Sequence, residues 1–173
     1  MGSRRSRGQI FSTDLLLALF IFSLITAIFF STWQYNKNRL TFEQNLRRLE
    51  VIANTVSEIL VKTPGSPVDW ETDPNFNNLT SIGLAKLPRH IDPAKLSTLP
   101  QVPADQLKDV LGIEHNEVLI ELKTIDGNTI RKIGTKPASE YSVTVRRIVS
   151  YEGGEAILRV TVWGDRNYAG VML

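Results

Sequence analysis

The chain has 173 residues, with 20 Lys and Arg against 18 Asp and Glu, two His and no Cys. The lack of Cys excludes a disulfide framework, a thiolate metal site and a cysteine nucleophile. Three of the 20 basic residues, Arg4, Arg5 and Arg7, lie in the first eight positions; without them 17 basic residues face 18 acidic ones, so the remainder has no basic excess of the kind that marks nucleic-acid binding.

The first element follows that basic head directly. Leu15 to Trp33 is an uncharged run of 19 residues, about 28 Å as a helix and close to the ~30 Å hydrocarbon core of a bilayer. A signal peptide removed after its apolar region needs a small-residue site downstream. The flank "FFSTWQYNKNRL" has none, and Ala27 is followed by Ile28, Phe29 and Phe30. The run is therefore expected to stay on the mature chain. Arginines before it favour a cytoplasmic N-terminus, which places the body outside the cell. Trp33 and Tyr35 suit the outer interface.

No Pro or Gly interrupts the chain between Gln9 and Lys62. Leu46, Leu49, Ala53, Val56 and Leu60 recur at spacings of three and four, with Ile52 and Ile59 widening the stripe. One helix is predicted from about Phe11 to Lys62, uniformly apolar in its first half and amphipathic in its second. Residues 63–112 hold most of the prolines and read as an extended, turn-rich crossing with two short helices. Trp70 and Phe76 are expected to anchor this loop. Asn78-Leu79-Thr80 is an N-glycosylation sequon, making Asn78 a candidate modification site. Asp92 is the predicted N-cap of the first short helix, with Pro93 at its first position, and Gly112 ends the second.

From residue 113 the period changes to two. "EVLIELKTI" and "TIRKIG" flank Asp126-Gly127, and "EYSVTVRRIVSY" and "EAILRVTVW" flank a turn at Gly153-Gly154. Four strands in two hairpins predict an antiparallel sheet with one buried face, covered by the amphipathic helix. Arg146 and Arg147 are consecutive in a strand, so one points outward and the other toward the apolar face. The fold class expected is α+β, with segments 1–8, 9–62, 63–112 and 113–173. No catalytic constellation is present: His90 and His115 stand apart, without Cys or a second His at ligand spacing. Neither an enzyme nor a cofactor or metal site is expected.

The junction between head and apolar run carries a more specific pattern. Arg4, Arg5, Arg7, Gly8, Gln9, Ser12 and Asp14 resemble the class III signal peptides of archaeal type IV pilin-like proteins. There, basic residues precede a Gly, a Gln becomes the new N-terminus, and a polar residue and an acid precede the apolar stretch. "LVKTPGSPVDW" and "SIGLA" resemble the bodies of the same proteins. The resemblance implies cleavage between Gly8 and Gln9 by a prepilin peptidase, and a pairing of Asp14 with the mature amino terminus of a neighbouring copy. The family acid is usually a Glu at mature position five, whereas Asp14 is sixth from Gln9; either the spacing is a variant or the cut follows Gln9. A second role for Asp14, with Ser12 and Thr13, is to cap the membrane helix.

The resemblance further implies a pilin-like head on a long helix, and a structural subunit, major or minor, of an adhesive surface filament. Its partners would be copies of itself or related pilins, with the membrane as host before assembly and no nucleic acid. The precursor would lie in the cell membrane and the mature protein in an extracellular filament. The alternative is a single-pass, membrane-anchored extracellular binding protein that does not polymerise.

Overall fold

A computed structural model describes residues 6–113, 115–137 and 142–164, with side chains described from residue 13 to 37 and from 43 onward within those ranges. It is α+β: one long, apolar N-terminal helix and a mixed C-terminal sheet. Helix α1 spans Ser6–Lys62. The chain divides into two compact units, Met1–Gln44 and Asn45–Leu173, and α1 contributes to both.

In the second unit the amphipathic stripe forms as its spacing predicts. Leu49, Ala53, Val56 and Leu60 are buried, Leu46, Ile52 and Ile59 are half-buried, and Val61 joins the core. The helix stops at Lys62 because Thr63 turns back onto Ile59 O, through both its N–H and its hydroxyl, and Pro64 cannot continue it. The last carbonyls of a helix have no partner within it. Here the crossing chain supplies them: Leu84 N donates to Leu60 O at 3.0 Å and Arg89 N to Val61 O at 2.7 Å. Arg89 O in turn accepts from Ser150 N at 2.7 Å, which ties the helix end to the sheet.

The crossing is thus more structured than an extended loop. It contains β1 (Gly65–Ser66), β2 (Ser81–Ile82), β3 (Ala85–Leu87) and β4 (His90–Ile91). β1 and β2 pair as a separate two-stranded sheet. Trp70 and Phe76 anchor the segment, both buried, with ring centroids 6.4 Å apart. The Trp70 indole N–H lies 3.2 Å from Pro64 O and 3.1 Å from Gly83 O. Gly83 is required there, since a Cβ would stand 2.0 Å from Thr63 O. Lys95 is buried at 3% exposure; its ammonium donates to Pro64 O and Val68 O, each at 2.5 Å, and lies 3.8 Å from the Glu71 carboxylate.

Helices α2 (Pro93–Thr98) and α3 (Ala104–Val110) follow. The Asp92 carboxylate accepts from Ala94 N at 2.9 Å and Pro93 sits at the first helical position, as the sequence indicates. Gly112, at φ +67°, closes α3 while Ile113 N donates to Lys108 O.

The four long strands are β5 (Asn116–Thr124), β6 (Thr129–Ile133), β7 (Ser142–Tyr151) and β8 (Gly154–Gly164). Their pairings are all antiparallel, with β8 between β7 and β5 and β6 outside β5. The expectation of a wholly antiparallel sheet is corrected at one margin. The six-stranded order is β3-β4-β7-β8-β5-β6, and β4 runs parallel to β7 where His90 meets Ser150. The added strands come from the proline-rich crossing, which returns beside the sheet after capping α1. The β7–β8 turn also differs by one residue. Its centre is Glu152-Gly153, at φ +49° and +82°, and Gly154 already pairs with Tyr151. Two left-handed residues in sequence match the right-handed twist of the flanking strands.

Val118, Ile120, Leu122, Leu158, Val160 and Val162 face the core with the α1 stripe. Arg147 stands on this face too, opposite Leu158. Its guanidinium donates to Asn54 Oδ1 at 3.0 Å and Ser57 Oγ at 3.3 Å, and lies 3.1 Å from Glu58 Oε1. A cation at the core margin is thus met by polar groups one turn apart on the helix. Arg147→Met should lower the unfolding midpoint of the second unit, because Asn54 and Ser57 lose a charge-assisted donor at the core margin. Denaturant titration of the full chain in detergent micelles measures it, and an unchanged midpoint would show the pairing to be idle.

Candidate membrane and assembly segment

Leu, Ile and Phe fill Leu15–Phe30 without a polar stripe, and in apolar surroundings a helix satisfies the backbone groups of such a run internally. The large apolar side chains from Leu15 to Tyr35 are all exposed, from 48% at Ile21 to 69% at Tyr35. Thr13–Lys37, 25 residues, is long and apolar enough to cross a membrane. A helix that is apolar all round needs a surrounding equally apolar, either lipid or similar helices.

Two threonines inside the segment bond to the preceding turn. The Thr26 hydroxyl donates to Phe22 O at 2.8 Å and that of Thr32 to Ile28 O at 2.9 Å. Such bonds to the preceding turn pair these two hydroxyls within the helix. Phe29 stacks on Trp33 and meets Phe30 edge-on, concentrating aromatic surface at the end where the chain leaves the apolar run.

Asp14 lies at the other end. It is exposed, and among the described residues its carboxylate has no ion pair or hydrogen bond. The capping role is corrected: α1 begins at Ser6, so Asp14 is in the third turn, beyond the free N–H groups that a cap serves. A carboxylate costs about 2.5–3.5 kcal/mol at the centre of a membrane helix and less at its edge, where Asp14 stands, and a cationic partner would relieve that cost. Gly8 and Gln9 fall within the backbone of α1, and their side chains lie outside the described residues. Arg4 and Arg5 lie outside them altogether.

Asn78 is exposed at the surface of the crossing. Its sequon partner Thr80 is held to Ser66 O through both its N–H, at 2.9 Å, and its hydroxyl, at 3.1 Å. His90 and His115 are both exposed, and the His90 ring lies 3.2 Å from Pro88 O. Among the described residues no group of His, Asp and Glu is placed to hold a metal ion.

A second charged feature, only partly evident from the amino-acid sequence, lies at the end of α1. Glu58 pairs with Lys62 and with Arg147. The hydrogen bond from Lys62 lowers the Glu58 carboxyl below the usual range, with the charges of Lys62, Arg147 and Arg89 adding to it and partial desolvation opposing it. Arg146 points away from the core, as alternation requires. Arg89 carries no signal in the sequence, because nothing in "LPRHI" marks its left-handed backbone, φ +67°. At the nearby turn, burial and the charge of Glu152 raise the Tyr151 phenol above its ordinary value, with Arg131 opposing. Comparison with protein-family models, with curated proteins and with solved structures gives no match for this chain.

Proposed function

We propose that the chain is a structural subunit of an archaeal type IV-pilus-like surface filament, made as a membrane-held precursor and assembled through α1 for adhesion. The observation that supports this reading most is the exposure of the whole apolar half of α1, which can be relieved first by lipid and then by like helices. The basic head supplies the switch. While Arg4, Arg5 and Arg7 are attached, leaving the bilayer outward means dragging three cations across it; cleavage at Gly8-Gln9 removes them. The new amino terminus and Asp14 then have opposite charge and lie at the same end of the segment, suited to pairing between neighbours.

Mass measurement of the native N-terminus tests the processing step. Mature protein is expected to begin at Gln9 or within one residue of it; assembled material that retains Met1 would overturn the reading. Asp14→Ala is expected to reduce filament yield several-fold while leaving precursor abundance unchanged, because the acid acts between subunits and makes no contact among the described residues. Equal filament output from this variant would remove that role. The single-pass anchor is the second reading, since lipid alone can cover an all-round apolar helix. Negative-stain imaging of surface preparations separates the two: filaments support the first, dispersed particles the second.

A further inference from the structure

Among the described residues, the margin of β7 away from β8 is incompletely paired. β7 is paired with β8 over all ten of its residues, but among the described residues its other margin meets β4 only at Ser150. Ser150 directs its N–H to that margin, toward Arg89 O. Residues two apart in a strand point their N–H and C=O groups to the same side. The pairing of β7 with β8 is regular, without a bulge. Ile148, Arg146 and Thr144 therefore turn their backbone donors and acceptors toward the open margin.

A cleft of about 300 Å³ lies beside this margin, lined by Lys62, Arg89, Arg146, Arg147, Ile148 and Glu58 among others. Four cations thus surround one carboxylate. Glu58 is engaged by Lys62 and Arg147, whereas Arg89 and Arg146 make no side-chain ion pair or hydrogen bond among the described residues. Arg89 is fixed at its backbone by Val61 O and Ser150 N, in a left-handed conformation that Gly or Asn adopts more readily. Ile148, on the outer face between these charges, is 67% exposed. Two duller roles account for parts of the cluster. Charges on a strand margin deter aggregation, and cations suit a helix C-terminus. Ile148 adds β-branched apolar surface to the same open strand.

We propose that the open margin of β7 is a docking strip for an extended acidic peptide, which adds to it as a further strand. The backbone groups of Thr144, Arg146 and Ile148 supply pairing at the two-residue repeat of a strand. Arg146 and Arg89 receive carboxylates, and Ile148 receives an apolar side chain. A peptide fits better than a sulfated or phosphorylated polymer, because the strip combines charge with a periodic row of backbone donors and acceptors that only another peptide backbone matches. This proposal goes beyond the filament reading and does not depend on it.

The test uses the full chain in detergent micelles and fluorescently labelled short peptides. One, the Glu-Val peptide, repeats Glu-Thr-Val-Thr, so that Glu and Val alternate along one face; the other repeats Glu-Pro-Val-Pro, keeping both side chains while preventing strand pairing. The Glu-Val peptide is expected to bind at least about tenfold more tightly, and Arg146→Gln to weaken it by about tenfold, the loss of one charge-assisted contact. Because Arg89 has a strained backbone, its variant is Arg89→Asn, which tolerates that conformation; it should weaken binding similarly. Hydrogen exchange at the Arg146 and Ile148 amides should slow on binding. Equal affinity for the two peptides, affinity unaffected by both substitutions, or Arg146-dependent capture of a sulfated polysaccharide without capture of the Glu-Val peptide would each overturn the proposal.

Discussion

Trp70→Ala is expected to destabilise the head by about 3–5 kcal/mol, the range for removing a buried aromatic side chain. Trp70 is 1% exposed and packs against Phe76. Its indole N–H also supplies the carbonyls of Pro64 and Gly83, which belong to the two passes of chain around the end of α1. The loss therefore combines a cavity with unsatisfied backbone acceptors. Trp70→Phe separates the two contributions: it retains most of the packing and should lose only about 1–3 kcal/mol, the penalty for buried groups left without a donor. Denaturant titration of the full chain in micelles, followed by the near-ultraviolet signal, measures both. Similar losses for Ala and Phe would place the whole effect in the hydrogen bonds and none in packing.

Ile25→Arg is expected to have the largest effect on the first unit. Ile25 lies midway along Thr13–Lys37 and is 60% exposed. A cation at the centre of a membrane helix costs about 2.5–3.5 kcal/mol, roughly two orders of magnitude in partitioning. Recovery of the full chain in carbonate-washed membranes should fall accordingly. Leu87→Arg is the matched control: Leu87 is 62% exposed but lies in β3, so membrane recovery should not change. Undiminished recovery for Ile25→Arg would show that residues 13–37 do not lie across a bilayer.

The elements that carry periodicity are legible in the amino acids themselves. The stripe from Leu49 to Leu60 marks the amphipathic half of α1, and Thr63-Pro64 its end. Alternating Val, Ile and Leu mark β5, β7 and β8, and Asp92-Pro93 and Gly112 bound the short helices. The strands β1 to β4 are not legible in this way. Each has two or three residues, too few for a period, and they lie among prolines that signal turns. Their pairing is decided by distant partners such as Thr63 and Ser150. The central place of β8 is equally hidden, since hairpin signals report which strands are consecutive and not which hairpins meet.

Arg147 shows the same division. Alternation places one arginine of the pair on the apolar face, but only tertiary structure brings Asn54, Ser57 and Glu58 to it. Lys95 carries no signal of burial at all, because lysine in a short helix is ordinarily solvated. For the apolar segment, composition identifies the need for an apolar environment, and the resemblance of the leader suggests which one.

The tie from Val61 through Arg89 to Ser150 has a mechanical consequence. Two short hydrogen bonds in series, joined by a single residue, connect the last turn of α1 to β7. Arg147 bridges the same two elements three residues earlier in β7. A pull on the helix would load these links together and pass the tension into β7, which shares it with β8 along ten paired residues.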